Sequence, residues 1–145
     1  MDVEKPVIEQ IADLIFWYRD IKKGFNDVAK LQTVIRRLST LLFIYAAELS
    51  DYYKEKNESE YMRKSAFEKE KNRLIKAGES AAAAASAATV FVDDLLNNEQ
   101  ACDSAYKKAN LFYDAAQNVF EAMRQQVSTL KTEKSLEFKG GLQQP

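Results

Sequence analysis

The stretch Glu99–Lys139, EQACDSAYKKANLFYDAAQNVFEAMRQQVSTLKTEKSLEFK, decides the fold class. Within it Cys102, Ala109, Ala116, Met123 and Leu130 recur every seven residues, and Tyr106, Tyr113, Phe120 and Val127 form a second row four positions ahead. Read as d and a positions, the two rows give one apolar stripe down a helix of 41 residues, roughly 60 Å at 1.5 Å per residue, with no Gly or Pro before Gly140. A stripe that long needs long partners. The sequence therefore predicts an all-α protein, an elongated helical bundle ending in a long heptad-patterned helix and assembling into a homo-oligomer.

Composition supports that class. A chain of 145 residues with 46% hydrophobic and 30% charged residues suits one domain with a real core, so residues 1–145 are expected to form a single helical domain. Four Gly and two Pro leave almost no turn chemistry for a sheet. The net charge of −1 does not mark a basic nucleic-acid binder as a whole, although residues 51–76 sum to +2 and 77–106 to −5. One Cys and no His exclude a disulfide framework within the chain and speak against a metal site, which fits a reducing, cytoplasmic location. The start MDVEKPVIEQ has no basic-then-apolar signal pattern, and no apolar run is long enough to span a membrane.

The chain punctuates itself into helices. The first is expected over 6–23, with Pro6 in its first turn and Val7, Ile8, Ile11, Leu14, Ile15, Tyr18 and Ile21 as its apolar stripe. Phe16, Trp17 and Tyr18 read either as core and subunit interface or as a stacking platform for bases. Gly24, Asn26 and Asp27 mark a stop and restart. The second helix is expected over 27–53, its stripe running through Val28, Leu31, Val34, Ile35, Leu38, Leu41, Leu42, Tyr45, Leu49 and Tyr52. Arg36 and Arg37 on its polar side suit either a solvated face or phosphate.

From Lys54 to Lys76 the composition turns to eight Lys or Arg and five Glu. Asn57 and Glu60 resemble a capping box, so a short loop at 54–57 and a third helix over 58–77 are expected, laced by Glu60–Lys64 and Glu70–Arg73 pairs. A helix polar nearly all round must protrude, bridge, or gain cover from a partner. The fourth helix, expected over 79–97, contains SAAAAASAATVFV, whose small side chains admit a close helix crossing. Asp93, Asp94, Asn97 and Asn98 read as the turn into the last helix, 99–139, with a frayed tail at 140–145. The candidate oligomer interface comprises Ala84, Ala88, Tyr106, Tyr113, Ala116, Phe120, Met123, Val127 and Leu130.

Nothing in the sequence calls for catalysis. No His is present as a base, Cys102 falls on the seam where a thiol acts as a small hydrophobe, no glycine-rich phosphate loop occurs, and neither cofactor nor metal is expected.

Asp51-Tyr52-Tyr53, followed by a short polar stretch and then Glu60-Tyr61-Met62-Arg63-Lys64-Ser65-Ala66-Phe67-Glu68-Lys69-Glu70-Lys71, resembles the central region of the UvsY-like recombination mediators of tailed phages. The final helix is compatible with the oligomerising C-terminal helix of that family. The resemblance implies a closed oligomer that binds single-stranded DNA and helps load a recombinase onto strands covered by single-strand-binding protein. The family's basic residues before the Tyr pair do not carry over, since the matching stretch reads Tyr45-Ala46-Ala47-Glu48-Leu49-Ser50. The DNA-binding candidates here are Lys54, Lys56, Arg63, Lys64, Lys69, Lys71 and Arg73, with Tyr52 and Tyr53 as stacking faces. In a ring, a weakly basic segment repeated many times gains avidity. The periodicity equally fits a structural or adaptor protein, a virion or assembly component that packs against its own copies and binds no nucleic acid. A third reading is a monomeric regulator that caps another protein's groove.

Overall fold

A computed structural model describes residues 4–142. The chain is all-α, with the order α1 (Val7–Asp20), α2 (Val28–Lys76), α3 (Ala81–Phe91) and α4 (Asp93–Leu142).

Local chemistry explains most of the breaks. The Pro6 carbonyl accepts the Glu9 and Gln10 amides at 3.0 and 3.1 Å, opening α1 where a missing N–H costs nothing. α1 stops three residues earlier than expected because Ile21 turns extended, at φ −65° and ψ 146°, while its N–H still reaches the Trp17 carbonyl. Gly24 sits at φ +92°, and the Asp27 carboxylate accepts the Lys30 amide at 3.0 Å to cap α2, as the Gly-Asn-Asp signal predicts. Gly78 at φ +100° ends α2, with the Glu79 amide returning to the Leu74 carbonyl. Ser80 caps α3 by accepting the Ala83 amide at 3.2 Å.

Three further boundaries differ from the sequence expectation. The loop at 54–57 is absent: α2 runs unbroken for 49 residues, because it contains no Gly or Pro and loss of apolar periodicity alone does not break a helix. Asn57 is therefore a mid-helix residue rather than a cap, and two expected helices are one. The break before α4 falls at Val92 rather than near Asn98, so α3 is shorter and α4 longer than expected. Asp93 and Asp94 occupy the first turn of α4, where carboxylates complement the helix dipole. Finally, α4 continues through Gly140 and Gly141 to Leu142, each helical glycine costing only about 1 kcal/mol against Ala. The rest of the expected frayed tail, 143–145, lies outside the described residues.

The chain divides into two compact units, Met1–Ala47 with Phe112–Pro145, and Glu48–Leu111. The first unit packs α1, the start of α2 and the end of α4 around Ile11, Leu31, Val34, Leu38, Ala116 and Met123. Tyr45 is buried edge-on to Phe112, with ring centroids 5.4 Å apart, and stacks on Tyr113 at 6.3 Å. The Tyr18 hydroxyl donates to Gln126 Oε1 at 2.8 Å, and Gln126 Nε2 donates to the Phe25 carbonyl, tying α4 to the α1–α2 turn. Of the early aromatics, Trp17 and Tyr18 pack half-buried; Phe16 stays half-exposed with the Arg19 guanidinium 4.9 Å from its ring centre.

The second unit is built differently. Its buried side chains are Ser59, Ala84, Ala88, Val92 and Ala109, all small. Around them α2 and α4 meet through charge and aromatic rings. Arg63 forms an ion pair with Glu99, Lys56 lies 3.6 Å from Asp103, and Tyr53 tilts against Tyr106 at 5.4 Å.

Candidate nucleic-acid interface

The basic segment 54–73 lies wholly on α2, and helical geometry sets where its charges point. At about 100° per residue the seven basic positions spread round the entire circumference of the helix rather than along one stripe. Lys56 and Arg63 face inward, Lys64 and Lys71 fall on one flank, Arg73 on the other, and Lys54 and Lys69 on the far side.

The inward pair is consumed by α4. Arg63 donates two hydrogen bonds to the Glu99 carboxylate, which holds its guanidinium above its usual pKa. Lys56 sits between Asp103 and the Tyr106 ring, 5.2 Å from its centre, and Asp103 also meets Lys107 at 2.9 Å. The hydrogen bond from Lys107, with the charges of Lys107 and Lys56, keeps the Asp103 carboxyl below its usual range. The expected pairs Glu60–Lys64 and Glu70–Arg73 are both present at 2.6 Å, each lowering the pKa of its carboxylate through the hydrogen bond it receives. Lys54 lies 3.9 Å from Glu58. Only Lys69 and Lys71 of the seven make no ion pair among the described residues.

The two tyrosines part company. Tyr53 leans on Tyr106, while Tyr52 lines an open surface pocket of about 250 Å³ with Glu48, Asp51 and Glu55, three carboxylates that repel phosphate. Residues 48–111 together hold ten Lys or Arg against twelve Asp or Glu, a net charge of −2. In the first unit Arg36 and Arg37 line an open cleft of about 560 Å³; Arg37 donates to Gln10 Oε1 at 2.6 Å.

The candidate oligomer interface is equally divided. Ala84, Ala88, Ala116, Met123 and Val127 are buried by the chain's own helices, and Tyr106, Tyr113, Phe120 and Leu130 are half-buried. Cys102, expected on the buried seam, is only half-buried. Among the described residues no three His, Cys, Asp or Glu side chains gather as metal ligands, and no helix is long and apolar enough to cross a membrane.

The chain matches no protein-family model, no curated protein and no solved structure.

Sequence reasoning overlooked Glu99 and Asp103, the carboxylates that draw Arg63 and Lys56 inward. Their spacing held the signal: Glu99 and Asp103 are four apart on one face of α4, and Lys56 and Arg63 are seven apart on one face of α2.

Proposed function

We propose that the protein acts by binding rather than by chemistry, as a helical assembly or adaptor protein whose exposed helix faces pack against protein and not against nucleic acid. One observation carries this reading. In the second unit the fully buried side chains are small, Leu49, Phe67, Leu74, Leu95, Leu96 and Tyr106 are half-buried, and several other large apolar residues stay exposed. Tyr61 is 73% exposed, Met62 56%, Val90 76%, Phe91 62% and Leu111 69%, around an interior of alanines, one serine and one valine. Single exposed apolar residues need no explanation, but a fully buried interior this small gains little at about 25 cal/mol per Å², and these five larger side chains remain in water. Such a unit is stabilised by what covers it.

A second reading, the single-stranded DNA-binding mediator, is favoured by the end of α2. Residues 63–76 hold six Lys or Arg and two Glu, a local net charge of +4, with Tyr61 exposed two residues before them. In that reading an oligomer repeats the cluster along a single strand and presents it to a recombinase. Against it stand the pairing and spread of those charges on α2.

Fluorescence anisotropy of a labelled single-stranded oligonucleotide, with a duplex of the same sequence as control, separates the two. The assembly reading predicts no change in anisotropy with either at low salt. Binding that prefers the single strand and weakens steeply as salt rises would overturn it in favour of the mediator.

A further inference from the structure

The chain has six arginines, and four of them meet a carboxylate: Arg19 pairs with Asp20, Arg63 with Glu99, Arg73 with Glu70 and Arg124 with Glu121. The other two, Arg36 and Arg37, are adjacent and make no ion pair among the described residues. Their stretch of α2 explains the lack. Residues 28–47 contain no Asp or Glu, and the positions three and four away from each arginine hold only Gln, Thr, Ser, Val and Leu. Arg37 reaches a neutral acceptor, Gln10 Oε1 at 2.6 Å, and Arg36 reaches none among the described residues. Both line the open cleft of about 560 Å³ between the start of α1 and α2, which lies wholly within the first unit. Lys5 lines it too, held by Asp13 at 3.0 Å; Asp13 shares an adjoining hollow with Arg37 without pairing to it. The cleft thus sets three cations against the single carboxylate of Glu4, beside an aliphatic wall of Val7, Leu41 and Ile44.

We infer that this cleft binds an aliphatic carboxylate, its charged end on Arg36 and Arg37 and its hydrocarbon against Val7, Leu41 and Ile44. A guanidinium presents paired N–H donors in the geometry of carboxylate oxygens, and these two lack any other anion. The volume falls within the range of small-molecule sites, about 300–1,000 Å³. Three features select the class of anion. No aromatic side chain lines the cleft, so bases would find no stacking platform there. Glu4 repels a dianion more than a monoanion, which favours a carboxylate over free phosphate. Ile44 is exposed although aliphatic, and a hydrocarbon chain covers it where a small hydrophilic acid leaves it wet. The same group can arrive on a free acid or on an acidic side chain flanked by aliphatic ones. The site is independent of the assembly reading, which concerns the outer helix faces of the second unit.

The test is isothermal titration calorimetry of the full chain, in low-chloride buffer at neutral pH, with sodium octanoate, with the uncharged octanamide and with inorganic phosphate. Octanoate is expected to bind one to one, at least about tenfold more tightly than either control, because only octanoate offers both the charge and the chain. Arg36→Gln, Arg37→Gln and Ile44→Ser all alter exposed residues, so the fold is kept, as far-UV circular dichroism should confirm. Each arginine variant is expected to weaken octanoate by at least about fivefold, the loss of a hydrogen bond to a charged group, and Ile44→Ser is expected to weaken it measurably. Arg124→Gln, which removes an arginine of the same unit already paired with Glu121, is expected to leave binding unchanged. The blocked peptide acetyl-Leu-Glu-Leu-amide is titrated alongside. Tighter binding of octanoate assigns a free acid and tighter binding of the peptide a protein side chain, and either supports the inference. Failure of both to bind the native chain overturns it. So does octanoate binding that survives both arginine changes, or that phosphate or octanamide equals.

Discussion

Met123→Ala probes most directly whether the heptad seam of α4 is filled by the chain's own helices. Met123 is fully buried in the first unit, one turn before Val127 and two turns after Ala116, both also buried. Truncation removes three heavy atoms, Cγ, Sδ and Cε, from a site with no solvent access, so the lost transfer free energy is joined by the cost of an apolar cavity. Met→Ala changes in such sites cost about 2–5 kcal/mol. A neighbouring alanine at 116 offers little side chain to collapse into the gap, which places the expectation at about 3 kcal/mol. With an m-value of about 2 kcal/mol/M in urea, the unfolding midpoint followed by far-UV circular dichroism should fall by about 1.5 M with the slope unchanged. Leu136→Ala is the control: it lies on the same helix, is 62% exposed, and should shift stability by less than about 0.5 kcal/mol. A midpoint for Met123→Ala within error of that control would refute the claim that the seam is satisfied inside one chain.

Ala88→Leu should be destabilising by about 1–3 kcal/mol, because Ala88 has no exposed surface and the added atoms have nowhere to go; Ala87→Leu, on the exposed side of α3, should be nearly neutral in the same urea titrations. Gly78→Ala should cost about 1–2 kcal/mol although open space surrounds the new methyl group, since the strain lies in the φ of +100° rather than in packing. Arg63→Gln and Glu99→Gln should each lower the melting temperature, and the double variant should lose less than the sum of the two, because either single change strands a half-buried charge. Glu60, Glu70 and Asp103 are all held below their usual pKa by Lys or Arg hydrogen bonds. Their contribution to stability is therefore complete above the ordinary carboxylate range, about pH 4, and is lost as pH falls through the lowered folded-state values. Melting temperature should drop with acidification in that window, and Asp103→Asn should flatten the drop.

Much of the fold could be read from the residues. The heptad rows named Ala109, Ala116, Met123 and Val127, all of which are buried, and the second stripe named Leu31, Val34, Leu38, Leu41, Leu42 and Tyr45, likewise buried. Gly24 with Asp27 marked a real turn because positive φ and side-chain capping are local properties of those residues. The break expected at 54–57 failed for a physical reason: apolar periodicity reports what a helix buries, and this part of α2 buries mostly small or charged groups while remaining helical. For the same reason the partner of a stripe was not legible. Periodicity shows that the α4 seam needs cover, and only the packing shows that α1 and α2 of the same chain supply part of it.

The candidate site was less legible still. Counting Lys and Arg between 54 and 73 located a basic segment, yet the count says nothing of direction. The structure spreads those charges round α2 and sets Arg63 and Lys56 against Glu99 and Asp103.

Sedimentation velocity of the native chain mixed with a fluorescent single-stranded oligonucleotide at low salt, with absorbance and fluorescence followed together, tests the central claim most directly. The account predicts a protein boundary that carries no fluorescence and an oligonucleotide that sediments as though alone. Fluorescence moving with the protein boundary at low salt and leaving it as salt is raised would contradict it.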